Sequence, residues 1–356
     1  MYRGFALKEV FLETTHACNQ RCRYCYLPDV GRSFKDELTT DEYKHLIIKL
    51  ANEAKTVYLT FTGGEFFSRP DAIELLQAAE ENNFCFSILT NGTLIDERTA
   101  DALKEVMPFK IRVTLFAPDE DIHDNFTRLK GSYRSAVNGI RFLSERGIPV
   151  SITYPITSIA NIEHFKAMGD LANSMGAVLE IGDRILPSRD KTCRKSILSY
   201  QLSQESYPLL NKWAEDYLRE RNDCYLSEKD LEEKNRERLE KSITRLPCGA
   251  GVDTLAINPV GDIAACPMFL SEKIIGNIRK DDIIRLWDEA PFLKTLRSYD
   301  PAKRDKACKT CGVQDTCHVC VAQSYIENKD IYAPSIALCE EAKWMKEVKE
   351  YEKTLH

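Results

Sequence analysis

Val10-Phe-Leu-Glu-Thr14 and, straight after it, Thr15-His-Ala-Cys18-Asn-Gln-Arg-Cys22-Arg-Tyr-Cys25 decide how this chain is read. An apolar, β-prone run ends in a loop that carries three cysteines at C-x3-C-x2-C spacing. Three thiolates on one tight loop can hold three corners of a four-iron cluster. A structural cluster closes with four protein ligands, as structural zinc sites do, so three leave one iron open to a substrate or cofactor. The same spacing also suits half of a zinc site.

Outward from that loop the first half of the chain alternates. Strands are predicted at Val10–Thr14, Thr56–Thr60, Phe84–Thr90, Lys110–Leu115, Val150–Pro155 and Val178–Ile181. Helices are predicted to start near Thr40, Pro70, Asp96, Ser132 and Asn161, with Ser132 as a cap and with Gly147 and Gly176 as stops. Such alternation implies βαβ units and a parallel sheet. Six units fall short of the eight of a closed barrel, so the expected fold is α/β, a partial (β/α)6 TIM-type barrel. Function gathers at the C-terminal ends of such strands. Both the cysteine loop and Gly63–Gly64–Glu65 follow predicted strands, and so belong at one mouth.

The predicted barrel takes residues 1–200, and a helical, charged linker takes 201–245, with Gln201–Arg221 helical and Ser227–Arg245 solvated. A small cysteine-rich domain takes 246–356 and ends in a helix over Ile336–Tyr351. From Leu246 the periodicity fades, and such a region needs metal cross-links to hold together.

The 356 residues are 43% hydrophobic and 29% charged, the range of a soluble globular protein. A net charge of −6 gives no electrostatic case for nucleic acid. No apolar run reaches the ~20 residues of a membrane helix, and the N-terminus has no secretion signal, so a cytoplasmic protein is expected. Thirteen cysteines without an export signal favour metal over disulfides. Cys85, Cys193 and Cys224 stand alone, and Cys85, in an apolar run, reads as a small core residue.

The cysteine triad, with Tyr24 before its last member, resembles the signature of the radical S-adenosylmethionine (SAM) superfamily. That resemblance implies a [4Fe-4S] cluster on Cys18, Cys22 and Cys25 whose open iron chelates SAM. It further implies reductive cleavage of SAM to a 5′-deoxyadenosyl radical that abstracts hydrogen from substrate. Thr62-Gly63-Gly64-Glu65 resembles the segment that binds the SAM amino group, through free carbonyls and the Glu65 carboxylate. By the same resemblance Asn91 and Thr114 line the SAM pocket, Thr114 in place of a ribose-contacting serine, and Arg128 pairs with the SAM carboxylate.

The later cysteines resemble the SPASM extension of that superfamily, which houses two auxiliary [4Fe-4S] clusters and brings the total to three. Carried over, auxiliary cluster II takes Cys308, Cys311, Cys317 and Cys339, and auxiliary cluster I takes Cys248, Cys266 and Cys320. The first auxiliary cluster is thereby one ligand short, which implies an open iron unless Cys193 or Cys224 closes it. The sequence departs from the family in the two-residue gap between Cys317 and Cys320. The pairs Cys308-x2-Cys311 and Cys317-x2-Cys320 also read as zinc knuckles. His318 between them reads as a surface residue or a support for ligands.

Proteins of this resemblance mostly modify peptides. The expected reaction is a thioether or carbon–carbon crosslink in a ribosomally made peptide, and the stretch Leu115–Tyr133 with His123-Asp124 resembles such maturases. The partners implied are a peptide or protein substrate, a reductant such as flavodoxin or ferredoxin, and a separate leader-peptide-binding protein, since only 17 residues precede Cys18. One alternative is a dehydrogenase of a protein serine or cysteine, or of a small alcohol or sugar. Pro267 follows Cys266 where sulfatase maturases carry an aspartate, which counts against it. The other is a zinc-stabilised or electron-carrying protein without catalysis. Glu180, Asp183 and Arg184 are placed at the cavity or in a structural salt bridge.

Overall fold

The computed structural model describes residues 5–27, 35–155, 157–158, 161–182, 189, 217, 246 and 248–354. The expected helix Gln201–Arg221, all of the expected linker except Tyr217, and Cys193, Cys224, Asp183 and Arg184 lie outside the described residues. Two compact units divide the chain: Met1–Gln201 with Asp253–Ala290, and Leu202–Val252 with Pro291–His356.

In the first unit six parallel strands follow one another across a sheet: β1 (Glu9–Glu13), β2 (Tyr58–Thr62), β3 (Cys85–Thr90), β4 (Lys110–Thr114), β5 (Val150–Pro155) and β6 (Val178–Gly182). Between them lie α1 (Thr40–Lys49), α2 (Ala72–Glu81), α3 (Glu97–Val106), α4 (Glu120–Thr127), α5 (Ser132–Glu145) and α6 (Ile162–Ser174). Crossovers of one hand that always advance in one direction lay their helices on one face of the sheet. Val10, Leu12, Leu59, Phe61, Phe86, Ile88, Ile111, Val113, Ile152 and Tyr154 occupy that face and are fully buried or nearly so. Each such side chain contributes roughly 1.5–3 kcal/mol by leaving water. The alternate positions are mostly polar, with Glu9, Glu13, Thr60, Thr62, Ser87, Lys110, Arg112, Thr114, Thr153 and Glu180. A closed, packed barrel fills that side with branched apolar residues.

Several local expectations shift. β2 begins at Tyr58 rather than Thr56, because the Thr56 N–H donates to Leu50 O, while the Val57 and Tyr58 N–H groups donate to Lys8 O. The cap of α1 is Thr39, in a reciprocal capping box with Glu42, so Thr40 is the first helical residue. Ser132 does not cap α5. Gly131, at φ 80°, occupies the cap position, and the Ser132 hydroxyl pairs with Asp124 and Thr127. Gly147 and Gly176 do take left-handed φ values of 70° and 64° past their helices. Cys85 is exposed, not a core residue, because the first position of β3 lies off the helix-covered face. The helix α4 was not anticipated.

The cysteine-rich region departs most from expectation. Its first stretch is not irregular and does not stand apart. β7 (Thr254–Ile257) pairs parallel with the open edge of β1, and β8 (Asp262–Ala264) and β9 (Gly276–Asn277) follow antiparallel. The sheet has nine strands in the order β6-β5-β4-β3-β2-β1-β7-β8-β9. Residues 253–290, including α7 (Ile283–Glu289), thus belong with the barrel strands, so the compact units do not divide at 246. The Arg279 guanidinium grips Glu42 of α1 through bonds of 2.5 and 2.9 Å, and the Trp287 indole donates to Phe5 O at 2.6 Å.

In the second unit the described α-helices include α8 (Pro291–Arg297), α9 (Lys306–Lys309), α10 (Val321–Asn328) and α11 (Ile336–Thr354). Glu327 of α10 accepts from the Ser335 hydroxyl and from the Ile336 N–H, which sets the start of the terminal helix. Tyr299 and Tyr332 stack with ring centres 5.0 Å apart. Among the described residues no helix is long and apolar enough to cross a membrane.

Candidate active site and iron–sulfur centres

The loop from Thr14 to Leu27 leaves the C-terminal end of β1 and is laced to its neighbours by backbone. Thr14 N–H donates to Thr62 O, Gly64 N–H to Thr15 O at 2.7 Å and Glu65 N–H to Ala17 O at 2.8 Å. Gly63 has a φ of 135°, and a Cβ there would sit 2.2 Å from Thr15 O. A Cβ on Gly64 would sit 2.5 Å from Ala17 O. The two glycines let the turn after β2 press onto the backbone of the cysteine loop.

On the far side α4 holds the loop. Arg21 and Arg23 N–H groups donate to Thr127 O and Phe126 O, both at 2.9 Å, and the Arg23 side chain grips Asn125. The Tyr24 ring meets Phe116 edge-on at 6.3 Å, and Phe116 stacks on Phe126 at 4.5 Å. His123, fully buried, accepts the Phe116 N–H on Nδ1, and burial lowers its pKa to about 4, so it is neutral. Asp124 accepts from Gly131 N–H, Tyr133 N–H and the Ser132 hydroxyl. The His123-Asp124 pair therefore builds the support of the loop and the entry to α5.

The three thiols lie within electrostatic reach of one another, although among the described residues no group of three or more His, Cys, Asp or Glu side chains is arranged to hold a metal ion. Burial raises the pKa of all three, with Cys25 pushed up to about 11, and each is raised further by neighbouring negative charge, Cys22 by Cys25 and Cys18, Cys25 by Cys18, and Cys18 by Glu65. Half-buried thiols of this kind ionise beside an electropositive group, which a bound iron cluster would supply. Gln20 donates its N–H to Cys18 Sγ at 3.4 Å, and Cys22 donates its thiol hydrogen to Gln20 Oε1 at 3.3 Å. The donor set fits a cluster held by three cysteines.

Most of the residues expected around SAM gather here. Asn91 donates to Cys18 Sγ at 3.9 Å and to Asn19 Oδ1 at 2.8 Å. Glu65 is buried; its Oε1 accepts from the Thr90 hydroxyl at 2.6 Å and Phe67 N–H at 3.1 Å, and its Oε2 from Asn91 N–H at 2.6 Å. Its carboxylate thus ties the end of β2 to the end of β3. Arg128 is exposed at the end of α4, in the left-handed conformation at φ 56°, and its charge reaches Cys22. Thr62 is buried against the loop, whereas Thr114 is placed at the end of β4 without a bond to the others.

Four residues went unnoticed in the sequence: Glu13, His16, Tyr26 and Arg189. Arg189 Nη2 and Glu13 Oε1 lie 2.6 Å apart, with side chains 2% and 0% exposed. Their separation of 176 positions carries no local signal.

In the second unit Cys308, Cys311, Cys317 and Cys339 line one cavity of about 590 Å³, with Cys320 also on its wall. Burial raises the pKa of Cys317 and Cys339; nearby Cys339 and Cys308 add to the shift at Cys317, and Cys308 and Cys311 at Cys339. Four thiols lining one cavity are the donor types that a closed cluster would take. His318 is half-buried beside it. Cys266 belongs to the first unit, whereas Cys248 and Cys320 belong to the second.

Residues 12–172 match the sequence model of the radical SAM superfamily, and residues 248–312 match that of the SPASM iron–sulfur cluster-binding domain. The chain is 24% identical over 327 residues to the AdoMet-dependent heme synthase of Methanosarcina barkeri, covering 89% of this chain and 92% of the relative. It is 26% identical over 328 residues to the mycofactocin maturase MftC of Mycolicibacterium smegmatis, covering 90% and 80%. Its fold is similar to Streptococcus suis SuiB bound to the precursor peptide SuiA, with TM-score 0.71 and 18% identity over 95% of this chain and 76% of that one. Motif, parallel sheet and both matches agree, and the chain is a radical SAM enzyme with a SPASM domain.

Proposed function

We propose that Cys18, Cys22 and Cys25 hold the cluster that binds SAM, and that the chain abstracts hydrogen from a peptide to form a thioether or carbon–carbon crosslink. When bound, the cluster and SAM supply an electron and a 5′-deoxyadenosyl radical. The observation that carries the SAM site is the meeting of three half-buried thiols with Asn91 and Glu65 at the ends of β1 to β3, with Arg128 at the end of α4 within electrostatic reach of Cys22. Arg128 offers its planar fork to a carboxylate. Thr62 and the Gly63–Gly64 carbonyls face the amino group, and Tyr24 and Thr114 close the pocket. The mycofactocin maturase MftC and the bacteriocin subtilosin biosynthesis protein AlbA of Bacillus subtilis, both similar to this chain, support a peptide substrate. In this reading, flavodoxin or ferredoxin supplies electrons and a separate protein presents the leader.

Auxiliary cluster II takes Cys308, Cys311, Cys317 and Cys339.

A second reading has one specific support. Lys110 Nζ and Arg112 Nε lie 2.5 and 3.2 Å from the two oxygens of Glu180, on the sheet face away from the helices. Two cations share one carboxylate, and the Arg112 side chain is 43% exposed. That surplus suits a substrate with carboxylates of its own, such as a porphyrin, and the heme synthase relatives point the same way.

The test is anaerobic turnover with SAM and dithionite, reading 5′-deoxyadenosine with a cysteine-bearing peptide or with iron coproporphyrin. Stimulation by the peptide, with a mass shift of minus two hydrogens, supports the first reading. Stimulation by the porphyrin, with a change in its mass, replaces it with the second. No 5′-deoxyadenosine from iron-loaded protein overturns both.

A further inference from the structure

Arg189 is buried where the fold gives it little freedom. Its backbone N–H donates to Tyr26 O at 3.0 Å, one residue past Cys25. Its guanidinium lies 5.0 Å from the centre of the Tyr26 ring. Nη2 donates to Glu13 Oε1 at 2.6 Å, and Nη1 donates to Pro267 O at 2.8 Å, one residue past Cys266. Glu13 Oε2 in turn meets His16 Nε2 at 3.3 Å, two residues before Cys18. One guanidinium therefore bridges the turn after Cys25 and the turn after Cys266. Nε–H of Arg189 is buried with no acceptor among the described protein groups.

A buried cation is costly unless it is paired, and a fully desolvated Arg–carboxylate pair is weak evidence of stability alone. A charge and a free N–H beside cluster ligands do have a direct effect on iron, because cluster potential follows net charge and hydrogen bonds to sulfur. Arg189 and Cys25 lie within electrostatic reach of each other, as do Glu13 and Cys25.

We infer that Glu13 and Arg189 form a potential-setting pair for the cluster on Cys18, Cys22 and Cys25, with Arg189 the positioning residue that locks that loop to the Cys266 turn. The inference rests on the proposed cluster site. The cation favours the reduced, more negative cluster and the carboxylate opposes it, so the pair holds the potential between two extremes. The planar fork is needed to reach both turns at once.

The experiment is an EPR-monitored redox titration of the full, iron-loaded chain, with the first cluster identified by its spectral response to SAM. Arg189→Met removes the buried cation, leaves Glu13 only its contact with His16, and should shift the reduction equilibrium about tenfold toward the oxidised cluster, as an uncompensated charge does in a partly buried site. Glu13→Gln leaves Arg189 unpaired and should shift it toward the reduced cluster. The double variant Glu13→Gln with Arg189→Met should return near the starting value. A merely structural pair would move both single variants the same way or neither, and either result overturns the inference. If Arg189→Met does not load iron, Glu13→Gln alone decides by the sign of its shift, and no shift overturns the inference. Iron content and 5′-deoxyadenosine formation are read in parallel. Wild-type protein without a cluster at Cys18, Cys22 and Cys25 refutes the site reading itself, whereas loaded clusters with unmoved potentials refute only the pair.

Discussion

The Glu65 carboxylate accepts the Asn91 backbone N–H at 2.6 Å, and this bond joins the ends of two parallel strands at the mouth where the thiols gather. Burial pushes the Glu65 carboxyl up, against the bonds from Thr90, Asn91 and Phe67 that favour its ionised form. Glu65→Gln turns one of its two acceptors into a donor facing a donor. The expected cost is about 1–3 kcal/mol, read by denaturant unfolding of wild type and variant, with loss of SAM cleavage beside it.

Gly63→Ala meets two obstacles, the φ of 135° and the Thr15 carbonyl at 2.2 Å, and backbone has to move. The loop that moves carries the three ligands. The variant should lose about four irons, one cluster's worth, while the cavity of Cys308, Cys311, Cys317 and Cys339 keeps its own. Iron and sulfide analysis checks the count, and full loading would refute it.

Arg128 is exposed and spends no side-chain bond on the fold among the described residues, so its removal should leave stability unchanged within about 0.5 kcal/mol. Arg128→Gln should weaken SAM binding by about tenfold or more, since hydrogen bonds between charged partners are worth roughly 1.5–3 kcal/mol. Equilibrium dialysis with the loaded protein measures it.

Glu42 is bound by Arg279, and this bond, with those from Thr39, lowers its pKa to about 2. A depressed carboxyl stabilises fully above its unfolded value of about 4.3, and the contribution is lost as pH falls through about 2. The stability gap between wild type and Glu42→Gln should be constant near neutral pH and shrink between about pH 4 and 2. The pair is largely exposed, so added salt should narrow the gap as well.

If auxiliary cluster I has an open iron, Cys193→Ala and Cys224→Ala should each retain the full iron content. Loss of about one cluster in either variant would name the fourth ligand. Mössbauer spectra of the variants decide it.

The strand–helix alternation and the cysteine loop were legible because each strand carries its apolar side chains at a fixed period and the loop follows directly. The helix α4 was not, because its buried positions are His123, Phe126 and Thr127, only one of them apolar. The strands β7, β8 and β9 span four, three and two residues, too few for a pattern, and only pairing with β1 gives them order. Gly63 and Gly64 were legible as places of close approach. The atoms that approach include the carbonyls of Thr15 and Ala17, which a sequence cannot name. Glu13 carries no signal in the sequence, because its partner Arg189 lies 176 positions away.

The grafting of β7 onto β1 has a consequence for how such an enzyme can change. Cys25 and Cys266 depart from one hydrogen-bonded lattice, so the gap between their turns is gauged by rigid strands and not by a tether. Substitutions at the far end of the barrel strands, near Glu180 and β6, leave that gauge as it was.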